Sequence, residues 1–313
     1  MTESRTGWTA KFLAVVRYEI LWNIRKKKFL GMLVVAFALT TLVLAGEHIA
    51  NAFGGPPVGP RPDFVISSNV GLGGFGFFLF AIVTAMNTIS TEFESGTIVP
   101  LLAKPISRTT VFLGKLFAAF VTLLATYCFL MVYMAIGGFV VYGPQNNLHL
   151  VPISLFGALF STLIWISIVL LLATLSRSSL IAALGAFGVW LGTTIIGQIL
   201  GQVAGQGWIL TYIPGFGNIG SVGGPPQSIN GVAVSTGTDS IGPNLINFIL
   251  HPSWEVTYYK IDLGGPTPGQ SWIALYSEPL STIILTSIAV ALIYFIVFVA
   301  TSWYLFRRAQ VTE

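Results

Sequence analysis

TEFESGTIVPLLAKPISRTTVFLGK, Thr91 to Lys115, is the stretch on which the fold turns. It holds two Glu, two Lys and one Arg in a chain that is only 8% charged, and Gly96, Pro100 and Pro105 punctuate it. The sequence on either side is apolar and uncharged for many residues. Two such runs joined by a short polar reversal read as two membrane-crossing helices and their connection. The whole composition agrees, with 54% hydrophobic residues and a mean hydropathy of +0.81. A soluble domain carries about 25% charged residues. The fold class expected is therefore an all-α membrane protein forming one transmembrane domain over residues 1–313.

Six apolar runs are long enough to cross roughly 30 Å of hydrocarbon. They are Phe29–Gly46, Val70–Ser90, Thr110–Tyr142, Pro152–Leu175, Leu180–Ala204 and Pro279–Phe306. Threaded alternately, they place Arg5, Lys11, Arg17, Arg25, Lys26, Lys27, Lys28, Lys104, Arg108, Lys115, Arg177, Arg307 and Arg308 on one side. Only Arg61 and Lys260 fall on the other, while the acids divide almost evenly. Bias confined to Lys and Arg marks the cytoplasmic side, so both termini are expected there in a multi-pass cell-membrane protein. The net charge of +4 is accounted for by this asymmetry and does not call for nucleic acid. Residues 1–28 carry charge throughout and do not read as a cleavable signal peptide. Cys128 stands alone, so no intrachain disulfide forms.

Residues 8–28 predict a helix lying in the cytoplasmic interface. Trp8, Phe12, Val15, Val16, Ile20 and Trp22 share a broad apolar arc, and Lys11, Arg17 and Arg25 the opposite one. Glu19 sits on the apolar arc, so a partner is expected for it. The run of Arg25 to Lys28 also suits simple anchoring to anionic lipid. On the far side, residues 205–278 form a long segment rich in Gly, Pro, Ser, Thr and Asn, with Trp208, Trp254, Tyr258, Tyr259 and Trp272. Connections of that length are functional or disordered, and these aromatics favour packing on the membrane surface or folding as a lid.

The opening stretch, residues 91–109, reads mechanically. Glu92 and Glu94 carry the second span out of the bilayer, and Gly96 breaks the helix. Thr97 caps a short new helix that Pro105 ends, and Ser107 caps the third span beside Arg108 and Lys115. The short helix shows Ile98, Leu101 and Leu102, the kind of exposed apolar group that docks into another protein. A plain reversal between spans would use the same residues.

Together, Glu92, Glu94, Gly96, Thr97, Leu101, Leu102, Pro105, Arg108, Gly114 and Lys115 resemble the insert of ABC-2 type transporter permeases. "YEILWNIRKKKF", with Glu19 and Arg25, is similar to the leading helix of that family, and the six-span layout also fits. The resemblance implies an exporter-like fold whose insert is a coupling helix seated on a separate cytoplasmic ATPase subunit. It implies two permeases, as homodimer or heterodimer, and ATP and magnesium bound by the ATPase rather than by this chain. The segment 205–278 is longer and richer in Gly and Pro than that family's usual external segment, which leaves the substrate class open. The chain itself has no G-x-x-x-x-G-K-[ST] stretch for nucleotide phosphates.

No catalytic or metal constellation is expected. His48, His149 and His251 lie in separate connections, and Pro252 interrupts the pairing of His251 with Glu255. The predicted spans hold no Asp, Glu, Lys or Arg at mid-depth, which argues against an ion-coupled secondary transporter without eliminating it. A permease-like subunit that passes ATPase motion to an external process without moving a solute is the other alternative. In the fifth span Thr194, Gln198, Gln202 and Gln206 recur every fourth residue beside Gly197, Gly201 and Gly205. That polar, small-residue face predicts either helix packing or a lining for a translocation path near a dimer axis. Asn87 in the second span offers a weaker counterpart. Few charges in the spans favour a lipidic or amphipathic substrate.

Overall fold

The computed structural model describes residues 7–25, 27–68, 72–94, 106–215, 228–229, 232–233, 237–262 and 271–308. Its helices are α1 (Trp8–Arg25), α2 (Lys28–Ala52), α3 (Phe64–Ser67), α4 (Gly73–Glu94), α5 (Arg108–Tyr142), α6 (Val151–Ser176), α7 (Ser179–Gln198), α8 (Ile241–Leu250) and α9 (Leu280–Arg308). Six of them, α2, α4, α5, α6, α7 and α9, are long and apolar enough to cross a membrane. The expected six-span architecture is what the chain forms. Of the insert, residues 95–105 lie outside the described residues, including Gly96, Thr97, Leu101, Leu102 and Pro105.

The spans are not equivalent. α6 is the central helix, with 67% of its most apolar window buried, against 17% for α7 at the periphery. Phe77, Phe78 and Phe80 of α4, Leu123, Tyr127 and Leu130 of α5, and Trp165 and Val169 of α6 form the main core. Phe78 meets Trp165 edge-on at 5.2 Å between ring centroids. Such edge-to-face aromatic pairs contribute about 0.5–1.5 kcal/mol beyond their buried area.

Charge separates the two ends of the bundle. Lys115, Arg108, Arg177, Arg307 and Arg308 gather at one, hereafter the basic end, where α1 lies against α5. Val15 of α1 packs on Gly114 of α5, Phe12 meets Phe117 at 5.7 Å, and the Trp8 indole donates to Thr110 Oγ1 at 3.0 Å. Leu13, Tyr18, Leu21, Trp22 and Ile24 of α1 remain exposed.

At the opposite end the segment 205–278 has its own architecture. Strands β1 (Ser228–Ile229) and β2 (Val232–Ala233) pair antiparallel, as do β3 (Glu255–Asp262) and β4 (Ser271–Pro279). In β3 the inward residues Val256 and Tyr258 are fully buried against Leu280, Ile283 and Ile284, so the hairpin sits on the start of α9. Leu280 N–H donates to Trp254 O at 3.0 Å and closes that junction. His251 stacks on Trp254 at 4.0 Å between centroids, and the described residues contain no group able to hold a metal ion.

Candidate functional site: the basic end and the polar interior

The last turn of α4, Glu92-Phe93-Glu94, grips several elements. Lys115 Nζ of α5 donates to Glu92 Oε1 at 2.9 Å and to Glu19 Oε1 of α1 at 2.5 Å. The lysine side chain is 5% exposed, so this is a buried triad joining α1, α4 and α5. Phe93 lies against Phe306 of α9 at 6.3 Å and under the Arg177 guanidinium at 5.4 Å. Glu94 accepts from the backbone N–H of Ser179 at 2.6 Å and from its hydroxyl at 2.9 Å. Ser178 at the start of α7 makes no side-chain cap of its own. Glu94 supplies that cap from another helix, with its charge at the favourable end of the helix dipole.

The first turn of α5 is fastened just as closely. Ser107 Oγ accepts from Thr110 N–H at 3.1 Å, the cap that the sequence predicts. Arg108 donates to Arg307 O at 3.0 Å, and the Trp303 indole donates to Thr109 Oγ1 at 3.1 Å, both across to α9. The described residues on either side of 95–105 thus form two clamps that together reach α1, α5, α7 and α9.

Glu92 stands with Glu94 in the last turn of α4 and reaches Lys115. Lys115, expected to flank the entry of the third span, is the centre of the triad, and Glu19 on the apolar arc is the signal that pointed to it. Arg25 ends α1 as an exposed basic residue in its last turn.

The polar stripe of the fifth span is also redrawn. α7 ends at Gln198 and continues as a π-turn, Ile199–Val203. The wider turn breaks the four-residue repeat, so Gln206 lies beyond the helix, where its amide oxygen accepts from the Trp208 indole at 2.8 Å. Thr194 donates to Trp190 O within its own helix at 2.8 Å. Gly201 packs on Leu210 of the same chain, while Gly188 and Gly192 face open space. The side chains of Gln198, Gln202 and Asn87 lie outside the described residues.

A model for the ABC-2 family transporter protein matches residues 13–311. The chain belongs to the ABC-2 transporter family. The match covers nearly the whole chain and agrees with the resemblance carried by the insert and the leading helix. No curated protein matches it. As an ABC-2 family member it is the transmembrane, multi-pass component of an ABC transporter, and association with ABC ATPase subunits follows from that membership.

This ABC-2 chain also holds a polar interior that sequence reading misses. Ser161 Oγ of α6 donates to Thr238 O at 2.6 Å, and Tyr127 shares a 2.6 Å hydrogen bond with Thr162. Thr238, Asp239 and Ser240 are buried against α6, although the sequence places them in the outer segment. The available signal was the apolar run Ile241–Leu250, which buries Ile241, Gly242, Asn244 and Ile246.

Proposed function

We propose that this chain is the permease of an ABC exporter, and that residues 95–105 receive the motion of a separate cytoplasmic ATPase. The observation that carries this reading is the pair of clamps. Glu92 and Glu94 precede the insert and bond Lys115 of α5 and Ser179 of α7, while Arg108 and Thr109 follow it and bond α9 and Thr110 bonds Trp8 of α1. A push on the insert therefore reaches α1, α5, α7 and α9 together. The gathering of basic side chains at this end supports a cytoplasmic position for it and for both termini.

The peripheral α7, with Gly188 and Gly192 open on its surface, supports a second permease copy packing there, with Gln198 and Gln202 near the shared axis and Gln206 at the outer mouth. A lipidic or amphipathic substrate suits spans without charge at mid-depth. ATP and magnesium are assigned to the partner. Purification of the complex from native membranes tests the coupling role. The wild-type chain retains an ATP-hydrolysing subunit, and Leu101→Asp, inserted at the same level, loses it because the docking face must bury a charge. Equal retention by both would overturn the assignment.

A further inference from the structure

The carboxyl of Asp239 lies far from where its sequence position predicts. Asp239 belongs to the connection between the fifth and sixth spans, outside all six, yet it is 2% exposed and stands beside Trp165, near the midpoint of the central helix α6. A second turn of the same connection reaches a similar depth. Tyr294, at the midpoint of α9, donates through its hydroxyl to Tyr212 O at 2.9 Å. Gly215 packs against the Trp165 ring, where an added Cβ would come within 1.9 Å of it. The two turns are tied together, since Gly215 N–H donates to Thr238 Oγ1 at 2.9 Å. Gly157 of α6 meets Gly242 of α8 backbone to backbone, so the inserted segment is seated without a gap.

We propose that the turn Thr238–Ser240 is a proton-operated latch that holds the inserted segment 212–215 and 237–250 closed in the hairpin-end half of the bundle, with Asp239 as the proton-binding group. The inference adds to the permease reading and stands without it, because seating of the latch is measurable in the chain alone.

An ionised carboxylate at this position lacks bulk water, and burial is costly for the charged form. Burial pushes the Asp239 carboxyl up from 3.8 to about 7, only partly offset by the Trp165 indole, whose N–H favours the ionised form. Among the described residues, these groups stand around it. α6 contributes Ser161, Thr162 and Trp165, α5 contributes Tyr127, and α8 contributes Asn244. On α9 the titratable group away from the basic end is Tyr294; Glu92, Glu94, Lys115, Arg307 and Arg308 all stand at the basic end.

The sign follows from the two states. A withdrawn, hydrated turn ionises in the ordinary carboxylate range, and the seated turn only near 7. Protonation therefore stabilises the closed state fully below about pH 4; the advantage is lost as pH rises, and the loss is complete above about 7. Between those limits the open fraction grows by up to about tenfold per pH unit.

Hydrogen–deuterium exchange of the purified full chain in nanodiscs, from pH 5 to 8 and corrected for intrinsic exchange, reads this directly. Protection of amides in 237–250 falls by up to about a hundredfold between pH 5 and 7 and levels off above. Asp239→Asn mimics the protonated form and stays protected at every pH. Trp165→Phe removes the N–H together with part of the ring on which Gly215 packs, so protection is lower at every pH and the upper end of the fall moves to higher pH. Wild-type protection that is flat across the range overturns the latch, as does an equal fall in a folded Asp239→Asn. If Asp239→Asn fails to fold, the wild-type profile and its displacement in Trp165→Phe decide the matter alone.

Discussion

Lys115 shows how much a single residue organises. It is the only described cation lying between Glu19 and Glu92, and it unites three helices at a buried position. Removing one partner from a buried ion network leaves uncompensated charge and costs about 3–5 kcal/mol, whereas replacing the whole network with neutral groups is often nearly neutral. Lys115→Met therefore lowers the melting temperature of the detergent-purified chain markedly, and adding Glu19→Gln and Glu92→Gln restores most of the loss. A Lys115→Met protein as stable as wild type would show that the triad is incidental. Glu94 behaves differently because it is exposed. Glu94→Gln keeps an oxygen for the Ser179 N–H and loses only the charge at the helix end, so the melting temperature falls slightly and the larger effect appears in coupling to the ATPase. The sequence shows half of this arrangement. Glu19 on an apolar arc demands a partner, but the partner is 96 positions away and periodicity cannot reach that far.

Among the elements, spanning helices are legible because long uncharged runs have few alternatives in a membrane. The segment 205–278 is not, and the reason is physical. Gly207, Gly215, Thr238, Ser240 and Gly242 are packed there by close backbone approach and hydrogen bonding rather than by large apolar side chains, so hydropathy reads them as outside. The glycine contacts make this testable. At Gly157 an added Cβ would fall 2.2 Å from Gly242 Cα, and neither backbone has room to yield. Gly157→Ala forces α6 and α8 apart at a cost of about 1–3 kcal/mol, typical of overpacking. Gly192 has nothing within 4 Å, so Gly192→Ala leaves the melting temperature of the isolated chain unchanged. Thermal unfolding of both variants side by side checks the pair, and equal melting temperatures would contradict the seating of α8. The four-residue polar repeat of the fifth span misleads for a related reason: a π-turn at Ile199–Val203 changes the period where the repeat needs it constant.

For the whole molecule, the two ends are built differently. The basic end gathers charges onto the residues that precede and follow 95–105, and the hairpin end buries a polar segment of the outer connection. Orientation is checked by cysteine labelling in a Cys128→Ala background. Asn146→Cys reacts with an impermeant reagent added outside intact cells, and Ser178→Cys does not. The proposed coupling carries a push on the basic end through α1, α5, α7 and α9, and since the hairpin sits on the start of α9 the movement reaches the hairpin end. It is tested most directly by the aqueous reactivity of Gln206→Cys in the reconstituted complex with its ATPase, compared without nucleotide and trapped with ATP and vanadate. The account predicts that reactivity changes severalfold between those states, and that Glu94→Gln with Arg108→Gln abolishes the change while ATP hydrolysis continues. Reactivity that is identical in every nucleotide state of the unmutated clamps would contradict it.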